Sequence, residues 1–273
     1  TSPTAASSGS DLNGQAVLEA CLTVRGRMEP VARALLGATG ELPAEGAAPR
    51  GEIASSVTRP PLRWGSGRVT DGERSVTIRE VATQCWVRQI SLSSTGYYST
   101  PGIAYDHASG SGTPFFYFAY GVALVEVELC GLTGEARLRR ADILHDVGDA
   151  LVPSVDVGQV EGAFVQGVGW LTDEQVIHGP DGRCLTVGPS TYKVPAIGDV
   201  PTAFHVTLLQ DAPQPGTIGG SKAVGEPPLM LAIGVVTAIK DAVKAFGRRE
   251  VELALPATPE AILRAVEAQG WAG

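Results

Sequence analysis

A carboxylate in a glycine- and proline-rich turn is the residue of this sequence most able to do chemistry. Residues 222–228 read Lys-Ala-Val-Gly-Glu-Pro-Pro, which places Glu226 between a glycine and a proline. Gly225 allows the backbone to approach another group closely, and Pro227 disfavours α-helical backbone at Glu226 while suiting the first position of a helix. A helix predicted over 229–246 would hold the carboxylate at its positive end, ionised and able to accept a proton. A plain helix N-cap is the alternative, because carboxylates are common at that position.

Two further groups of residues have the chemistry of a polar binding site. A run of small residues lies near the start of the chain: Thr4, Ala5, Ala6, Ser7 and Ser8. Small side chains permit close packing on a flat ligand, and their N–H and hydroxyl groups can hold phosphate or other ligand oxygens. Gln159 has an amide that both donates and accepts hydrogen bonds. Taken alone, the first group is more typical of a polar chain end, and Gln159 of a solvated helix residue.

The elements that must position these residues mix helices and strands without a regular βαβ repeat, which predicts an α+β fold. Val125, Val127 and Leu129 alternate with glutamates before a turn at 131–134, so a hairpin with one solvated face is expected. Apolar residues at helical spacing predict a helix over 153–170 that carries Gln159. The other predicted helices cover 12–28, 30–36, 229–246 and 259–269, and the predicted strands lie within 75–94, 115–129, 136–146 and 204–210.

Composition excludes several classes of protein. The chain has 273 residues, of which 44% are hydrophobic and 18% charged, as in ordinary globular domains. The formal net charge is −8 and the basic residues are scattered, which argues against nucleic-acid binding. No run approaches the roughly 18 apolar residues of a membrane span, and no secretory signal opens the chain, so a cytoplasmic protein is expected. The start at Thr1 rather than Met suggests a piece of a longer protein.

The four cysteines point to free thiols rather than to a metal centre. Their spacing is wide and irregular, with no Cys-x-x-Cys pair, so an iron–sulfur cluster or zinc site within this chain is not expected. The cysteines are Cys21, Cys85, Cys130 and Cys184.

Eight short segments, in order along the chain, resemble one family. They are Thr-Ser-Pro-Thr-Ala-Ala-Ser at 1–7, Gly-Gln-Ala-Val at 14–17, Ser-Thr-Gly-Tyr-Tyr at 94–98, Tyr-Gly-Val-Ala at 120–123, Asp-Val-Gly at 146–148, Gly-Gln-Val-Glu-Gly-Ala-Phe-Val-Gln-Gly at 158–167, Gly-Pro-Ser-Thr-Tyr-Lys-Val-Pro at 188–195 and Ser-Lys-Ala-Val-Gly-Glu-Pro-Pro at 221–228. The sequence is similar to the C-terminal part of the molybdopterin-binding domain of xanthine dehydrogenases and xanthine oxidases. The resemblance spans residues 1–273, with little match over 37–80.

The resemblance implies a fold, an activity and a set of site residues. The fold is the α+β C-terminal portion of the aldehyde oxidase/xanthine dehydrogenase molybdopterin-binding domain. The activity is oxidation of hypoxanthine or xanthine to urate, with water-derived oxygen inserted at a ring carbon and Glu226 as the general base. Ala6 would lie beside the molybdenum. The residues that would contact the cofactor are Thr4, Ala5, Ala6, Ser7, Ser8, Gln159 and Gly225. At Gly9, where some relatives carry Ser, a hydroxyl contact is missing.

The family also implies partners that this chain does not contain. The [2Fe-2S] clusters, FAD and the rest of the molybdenum pocket are expected in other chains or segments, and NAD or oxygen is the electron acceptor. An aldehyde oxidase or another azaheterocycle hydroxylase of the same superfamily is one alternative. A non-catalytic assembly or cofactor-docking chain is another, although the intact Glu226 argues against it. The exact substrate, the acceptor and the stoichiometry stay open.

Overall fold

The computed structural model describes residues 7–37 and 61–271, which form two compact units. The first unit contains residues 12–37 and 61–101, and the second contains residues 7–11 and 102–271. Ser7, Ser8, Gln159, Gly225 and Glu226 all belong to the second unit. Thr4, Ala5 and Ala6 lie outside the described residues, as do residues 38–60.

The first unit packs two helices with a small antiparallel sheet. Its elements are α1 (Gly14–Leu35), β1 (Arg63–Gly65), β2 (Arg68–Thr70), β3 (Ser75–Thr77) and α2 (Ile78–Val87). The strands follow one another in the order β1-β2-β3. Val31 of α1, Val69 of β2 and Val81 of α2 are fully buried in one apolar cluster. This shared apolar core joins the two helices to the sheet.

A single helix replaces the two helices predicted over 12–28 and 30–36. Helix α1 runs through Pro30, although a proline inside a helix removes one backbone hydrogen bond and costs about 3 kcal/mol. Met28 on one side of the proline and Val31 and Ala32 on the other are all buried in the same cluster. Packing on both sides of Pro30 therefore keeps the helix continuous, and the predicted break was wrong.

Helix α2 lies where strand-like segments were predicted over 75–94. Only Ser75–Thr77 forms a strand, and a capping box then starts the helix. The Thr77 hydroxyl accepts from the Glu80 amide at 3.1 Å, and the Glu80 carboxylate accepts from the Thr77 amide at 2.7 Å. Because this pair satisfies two amides that lack partners in the first turn, it outweighs the short apolar alternation of Val76 and Ile78. The sequence pattern Thr-x-x-Glu carried this signal.

The second unit is built on a three-stranded sheet covered by helices on one face. Its elements are β4 (Ala104–Asp106), β5 (Ser111–Thr113), β6 (Gly121–Leu129), β7 (Ala136–His145), α3 (Pro153–Thr172), β8 (Ala203–Leu208), α4 (Ile233–Lys244) and α5 (Pro259–Ala268). Strands β6 and β7 form the predicted antiparallel hairpin, and β8 pairs with β7 in parallel. Strands β4 and β5 form a separate two-stranded antiparallel ribbon. The mixture of helices with antiparallel and parallel pairs confirms the α+β prediction.

Helix α3 packs its predicted apolar face into the core of this unit. Val160 and Phe164 are fully buried, and Val168 is nearly so. The ring of Phe164 meets the ring of Phe204 on β8, with 5.6 Å between the centroids. This contact fixes the helix that carries Gln159 against the sheet.

The helix predicted over 229–246 is divided into two parts. A 3₁₀-helix covers Pro227–Ala232 and passes into α4 at Ile233. Pro227 and Pro228 occupy the first turn, where their missing amide hydrogens would have no helical acceptor in any case. This 3₁₀ turn lies so close to α3 that a Cβ atom on Gly167 would come within 2.6 Å of the Leu229 carbonyl oxygen.

Across residues 7–37 and 61–271, every helix is too short or too polar to cross a bilayer.

Replacement of Phe164 by alanine tests the core that carries the site. Because Phe164 is fully buried against the sheet, Phe164→Ala should lower the free energy of unfolding by about 3–5 kcal/mol in chemical denaturation. Trp170→Ala on the same helix is the matched control, since Trp170 is 60% exposed and its loss should change stability far less. Equal effects of the two changes would contradict this packing.

Candidate active site

A polar cleft of about 240 Å³ lies in the second unit where three segments meet. One wall is the segment 7–10, another is the start of α3, and the third is the loop 221–225. The lining residues are Ser7, Gly9, Ser10, Leu151, Asp156, Gln159, Ser221, Lys222, Ala223, Val224 and Gly225. The cleft therefore contains residues from each of the three sequence regions selected as site candidates.

Three of the predicted site residues lie within contact distance of one another. A Cβ atom placed on Gly225 would lie 2.8 Å from the Ser7 Oγ atom and 3.2 Å from the Gln159 Oε1 atom. Any side chain at position 225 would therefore push one of these polar groups away. The need for glycine here arises from close approach rather than from backbone strain.

Glu226 is the residue directly after Gly225 in the chain, and it is exposed. Its backbone has φ −108° and ψ −36°, in the α region, so the prediction that Pro227 would keep Glu226 out of that region was wrong. The reason is the 3₁₀ turn, which starts at once when the Leu229 amide donates to the Glu226 carbonyl at 3.0 Å. The Glu226 side chain makes no capping hydrogen bond, so the N-cap alternative loses its physical basis.

The segment that carries Ser7 has an unusual backbone. Ser7 has a φ of +49°, in a region that residues other than glycine rarely adopt. Such conformations cost energy and persist where surrounding contacts hold them. Ser8 is not among the residues that line the cleft, and Thr4, Ala5 and Ala6 are outside the described residues.

A buried ion pair fixes the loop 221–225 to the end of β7, and it was missed from the sequence. The Lys222 Nζ atom donates to Asp146 Oδ2 at 2.5 Å and to the Phe118 carbonyl at 3.0 Å. The two charged side chains are only 9% and 4% exposed. Asp146 Oδ1 accepts from the Gly148 amide at 2.9 Å, so both carboxylate oxygens are bonded. The Asp-Val-Gly motif was noted, but nothing in it revealed the partner.

A backbone contact continues this attachment. The Lys222 amide donates to the Val147 carbonyl at 2.7 Å. Gly148 has a φ of +64°, and a Cβ atom there would lie 2.3 Å from the Gly220 carbonyl oxygen. Positions 147–148 and 220–222 therefore meet backbone to backbone, which only glycine at 148 permits.

Tyr117 links two walls of the cleft and was also missed. Its hydroxyl donates to the Asp11 carboxylate and accepts from the Ala223 amide at 2.8 Å. Burial and the hydrogen bond to Asp11 raise the pKa of Tyr117, so the phenol stays protonated and remains a donor. The aromatic run at 115–120 was the only sequence signal for this residue.

The polar groups of the cleft fit a pterin. The Ser7 hydroxyl, the Gln159 amide and the backbone beside Gly225 offer both donors and acceptors around a space that no side chain fills. Among the described residues, the second oxygen of Asp11 is buried without a hydrogen-bond partner. The same part of the chain shows no group of three or more His, Cys, Asp or Glu that could hold a metal ion. The fit therefore concerns the organic part of a cofactor.

A larger cavity of about 450 Å³ lies elsewhere in the second unit. It is bordered by β7, α3, α4 and the start of α5, with Leu138 and Ile239 among its apolar residues. Burial, followed by the charge of Asp199, raises the pKa of Asp173 at its rim. None of the predicted site residues lines this cavity, so the smaller cleft is the candidate active site.

Comparison with known proteins places the chain in a family. The molybdopterin cofactor-binding domain family matches residues 1–201. Xanthine dehydrogenase/oxidase of Mus musculus is 43% identical over 273 residues, which cover 97% of this chain and 18% of that protein. Xanthine dehydrogenase of Dictyostelium discoideum is 43% identical over 248 residues, which cover 90% of this chain and 16% of that protein. The chain belongs to the molybdopterin cofactor-binding domain family, and the resemblance found in the sequence is confirmed.

A solved structure supports the same fold. The crystal structure of quinoline 2-oxidoreductase from Pseudomonas putida 86 has a TM-score of 0.75 and 23% sequence identity. The match covers 97% of this chain and 30% of the quinoline 2-oxidoreductase chain.

This chain spans less than a fifth of the length of the two xanthine dehydrogenase relatives above.

Loss of the buried lysine should destabilise the protein strongly. Lys222→Met leaves the Asp146 carboxylate buried without its cation, which should cost about 3–5 kcal/mol in the free energy of unfolding. Arg264→Met is the control because it removes an exposed pair with Glu260, whose side chains are 76% and 75% exposed, and it should have little effect. Chemical denaturation measures both, and similar midpoints for the two variants would contradict the role of the buried pair.

Proposed function

We propose that this chain is the C-terminal part of the molybdenum-cofactor domain of a hydroxylase that oxidises a purine, hypoxanthine or xanthine, with Glu226 as the general base. The observation that carries the proposal is the meeting of Ser7, Gln159 and Gly225 at one cleft immediately before Glu226. Family membership and the xanthine dehydrogenase relatives support the choice of cofactor and substrate.

The residues of the cleft would bind and orient the cofactor. Ser7 and Ser8 offer hydroxyl and amide groups, Gln159 offers an amide that donates and accepts, and Gly225 leaves room for close approach. Thr4 and Ala5 would contact the cofactor, and Ala6 would lie beside the metal, as the family resemblance implies. When bound, the molybdenum cofactor supplies a metal centre that activates water and takes up electrons.

Glu226 would take the proton that catalysis must remove. An exposed carboxylate can accept a proton from the water-derived oxygen that attacks the substrate. The 3₁₀ turn that follows Glu226 packs on α3 at Gly167, and its Leu229 amide donates to the Glu226 carbonyl, which limits the movement of the Glu226 backbone. This chain's contribution is therefore the position of the base and the polar walls of the cleft.

We propose that the remaining cofactors and the rest of the active site lie outside this chain. The [2Fe-2S] clusters, FAD and the rest of the molybdenum pocket belong to other segments or subunits, and NAD or oxygen takes the electrons. A cytoplasmic location stays a prediction.

Assays on the whole protein with xanthine, an aldehyde and an N-heterocycle, each in ¹⁸O-labelled water, test the substrate class. Label in urate from xanthine supports the proposal, whereas turnover of the aldehyde or N-heterocycle alone overturns the purine assignment.

Replacement of the proposed base tests its role directly. Glu226→Gln in the whole protein should lower kcat about 10²–10⁴-fold, because the amide cannot accept the proton. Molybdenum content should stay the same, since Glu226 is not among the residues that line the cleft. Steady-state kinetics and metal analysis of the purified protein measure the two effects.

Glu267→Gln provides the matched control. Glu267 is an exposed glutamate on α5, remote in sequence from the cleft, and its change should leave kcat unaltered. Wild-type turnover in Glu226→Gln would refute the assignment of Glu226 as the base.

A further inference from the structure

We propose that Tyr117 is a positioning residue that clamps two walls of the cleft together and so controls how tightly the cofactor is held. The inference rests on the proposed function in one respect, namely that the cleft binds a pterin cofactor. Tyr117 itself does not line the cleft. Its hydroxyl acts through Asp11 and Ala223, which belong to different walls.

The contacts of the phenol define the clamp. Asp11 follows Ser10, the last lining residue of the first wall, and its carboxylate accepts the Tyr117 hydrogen. Ala223 lines the third wall, and its amide donates to the Tyr117 oxygen at 2.8 Å. One hydroxyl group therefore joins segments that lie more than 200 positions apart in the sequence.

The clamp complements the ion pair of Lys222. That pair attaches the third wall to the end of β7 through Asp146. Tyr117 extends the attachment to the first wall, where the Ser7 Oγ atom approaches the Gly225 position. The separation of Ser7, Gln159 and Gly225, which sets the width of the cleft, thus depends on the Tyr117 hydroxyl.

Burial makes the hydroxyl hard to replace. Tyr117 is half-buried, and both partners of its oxygen are protein groups. Phenylalanine would preserve the ring but leave the Ala223 amide and the Asp11 carboxylate without this partner. Since the bond to Asp11 involves a charged acceptor, its loss should be felt more strongly than that of a neutral hydrogen bond.

The experiment compares cofactor release from the whole, cofactor-loaded protein and its variants. Each protein is diluted, and molybdenum and pterin retained per polypeptide are followed with time, together with the melting temperature. Tyr117→Phe should release the cofactor about 10-fold to 100-fold faster than the wild type, the range expected for loss of a hydrogen bond to a charged group. Tyr192→Phe is the matched control. The Tyr192 hydroxyl donates to Glu174 Oε2 with a donor–acceptor distance of 2.5 Å, and neither residue lines the cleft. The Tyr192→Phe variant should therefore release the cofactor at the wild-type rate.

Substitutions of Asp11 separate positioning from general stability. Asp11→Ala should release the cofactor as fast as Tyr117→Phe, and Asp11→Asn should restore most of the retention because the amide oxygen still accepts from the phenol. The double variant Tyr117→Phe with Asp11→Ala should be no worse than the more severe single variant, since the two residues form one contact. If Tyr117→Phe does not fold, the contrast between alanine and asparagine at position 11 decides the question.

The outcomes distinguish the two proposals. A wild-type protein that contains no molybdenum or pterin overturns the proposed function and this inference with it. Cofactor present in the wild type, with the same release rate from Tyr117→Phe or with no difference between Asp11→Ala and Asp11→Asn, overturns the clamp alone. A lower melting temperature without faster release also contradicts it, because that would be a structural effect only.

Discussion

The buried ion pair between Lys222 and Asp146 is the interaction on which the candidate active site depends. Two charges that are almost completely removed from water carry a large desolvation cost, which only good geometry and further hydrogen bonds can offset. Here the carboxylate also accepts from the Gly148 amide, and the ammonium group also donates to the Phe118 carbonyl. The loop that carries Gly225 is therefore held at the end of β7, since moving it away would leave the Asp146 carboxylate buried without its cation.

The cleft follows from that fixed loop and from a packed core. Phe164 and Val160 hold α3 against the sheet, which sets where Gln159 can lie. The 3₁₀ turn after Glu226 rests on α3 at Gly167, so the loop is held from both its ends. The cleft thus depends on long-range contacts between the segment 7–10, the start of α3 and the loop 221–225.

Local patterns predicted the elements whose stability is local. The hairpin of β6 and β7, helix α3 and helix α5 follow from turn chemistry and apolar periodicity, and the structure has them. The prediction was wrong where packing or capping opposed a simple pattern. Pro30 does not end α1, because apolar contacts on both sides hold the helix, and Ile78 begins a helix because Thr77 and Glu80 cap it.

The site divides in the same way. Glu226, Gly225, Gln159 and the small residues at the start of the chain were found through family resemblance, while their residue types alone left ordinary alternatives open. Lys222–Asp146 and Tyr117–Asp11 escaped detection because their members are 76 and 106 residues apart, and a single sequence carries no record of such pairs. Family resemblance proposes which residues bind the cofactor, whereas the contacts that position those residues leave no signal in a single sequence.

The location of molybdenum in a crystal of the whole protein tests the central claim most directly. Anomalous scattering measured at the molybdenum absorption edge would mark the metal without any assumption about the cofactor. The account predicts one strong peak at the cleft bordered by Ser7, Gln159 and Gly225, with the Glu226 carboxylate facing it. A peak at the larger cavity beside Leu138 and Ile239, or no peak in active protein, would contradict it.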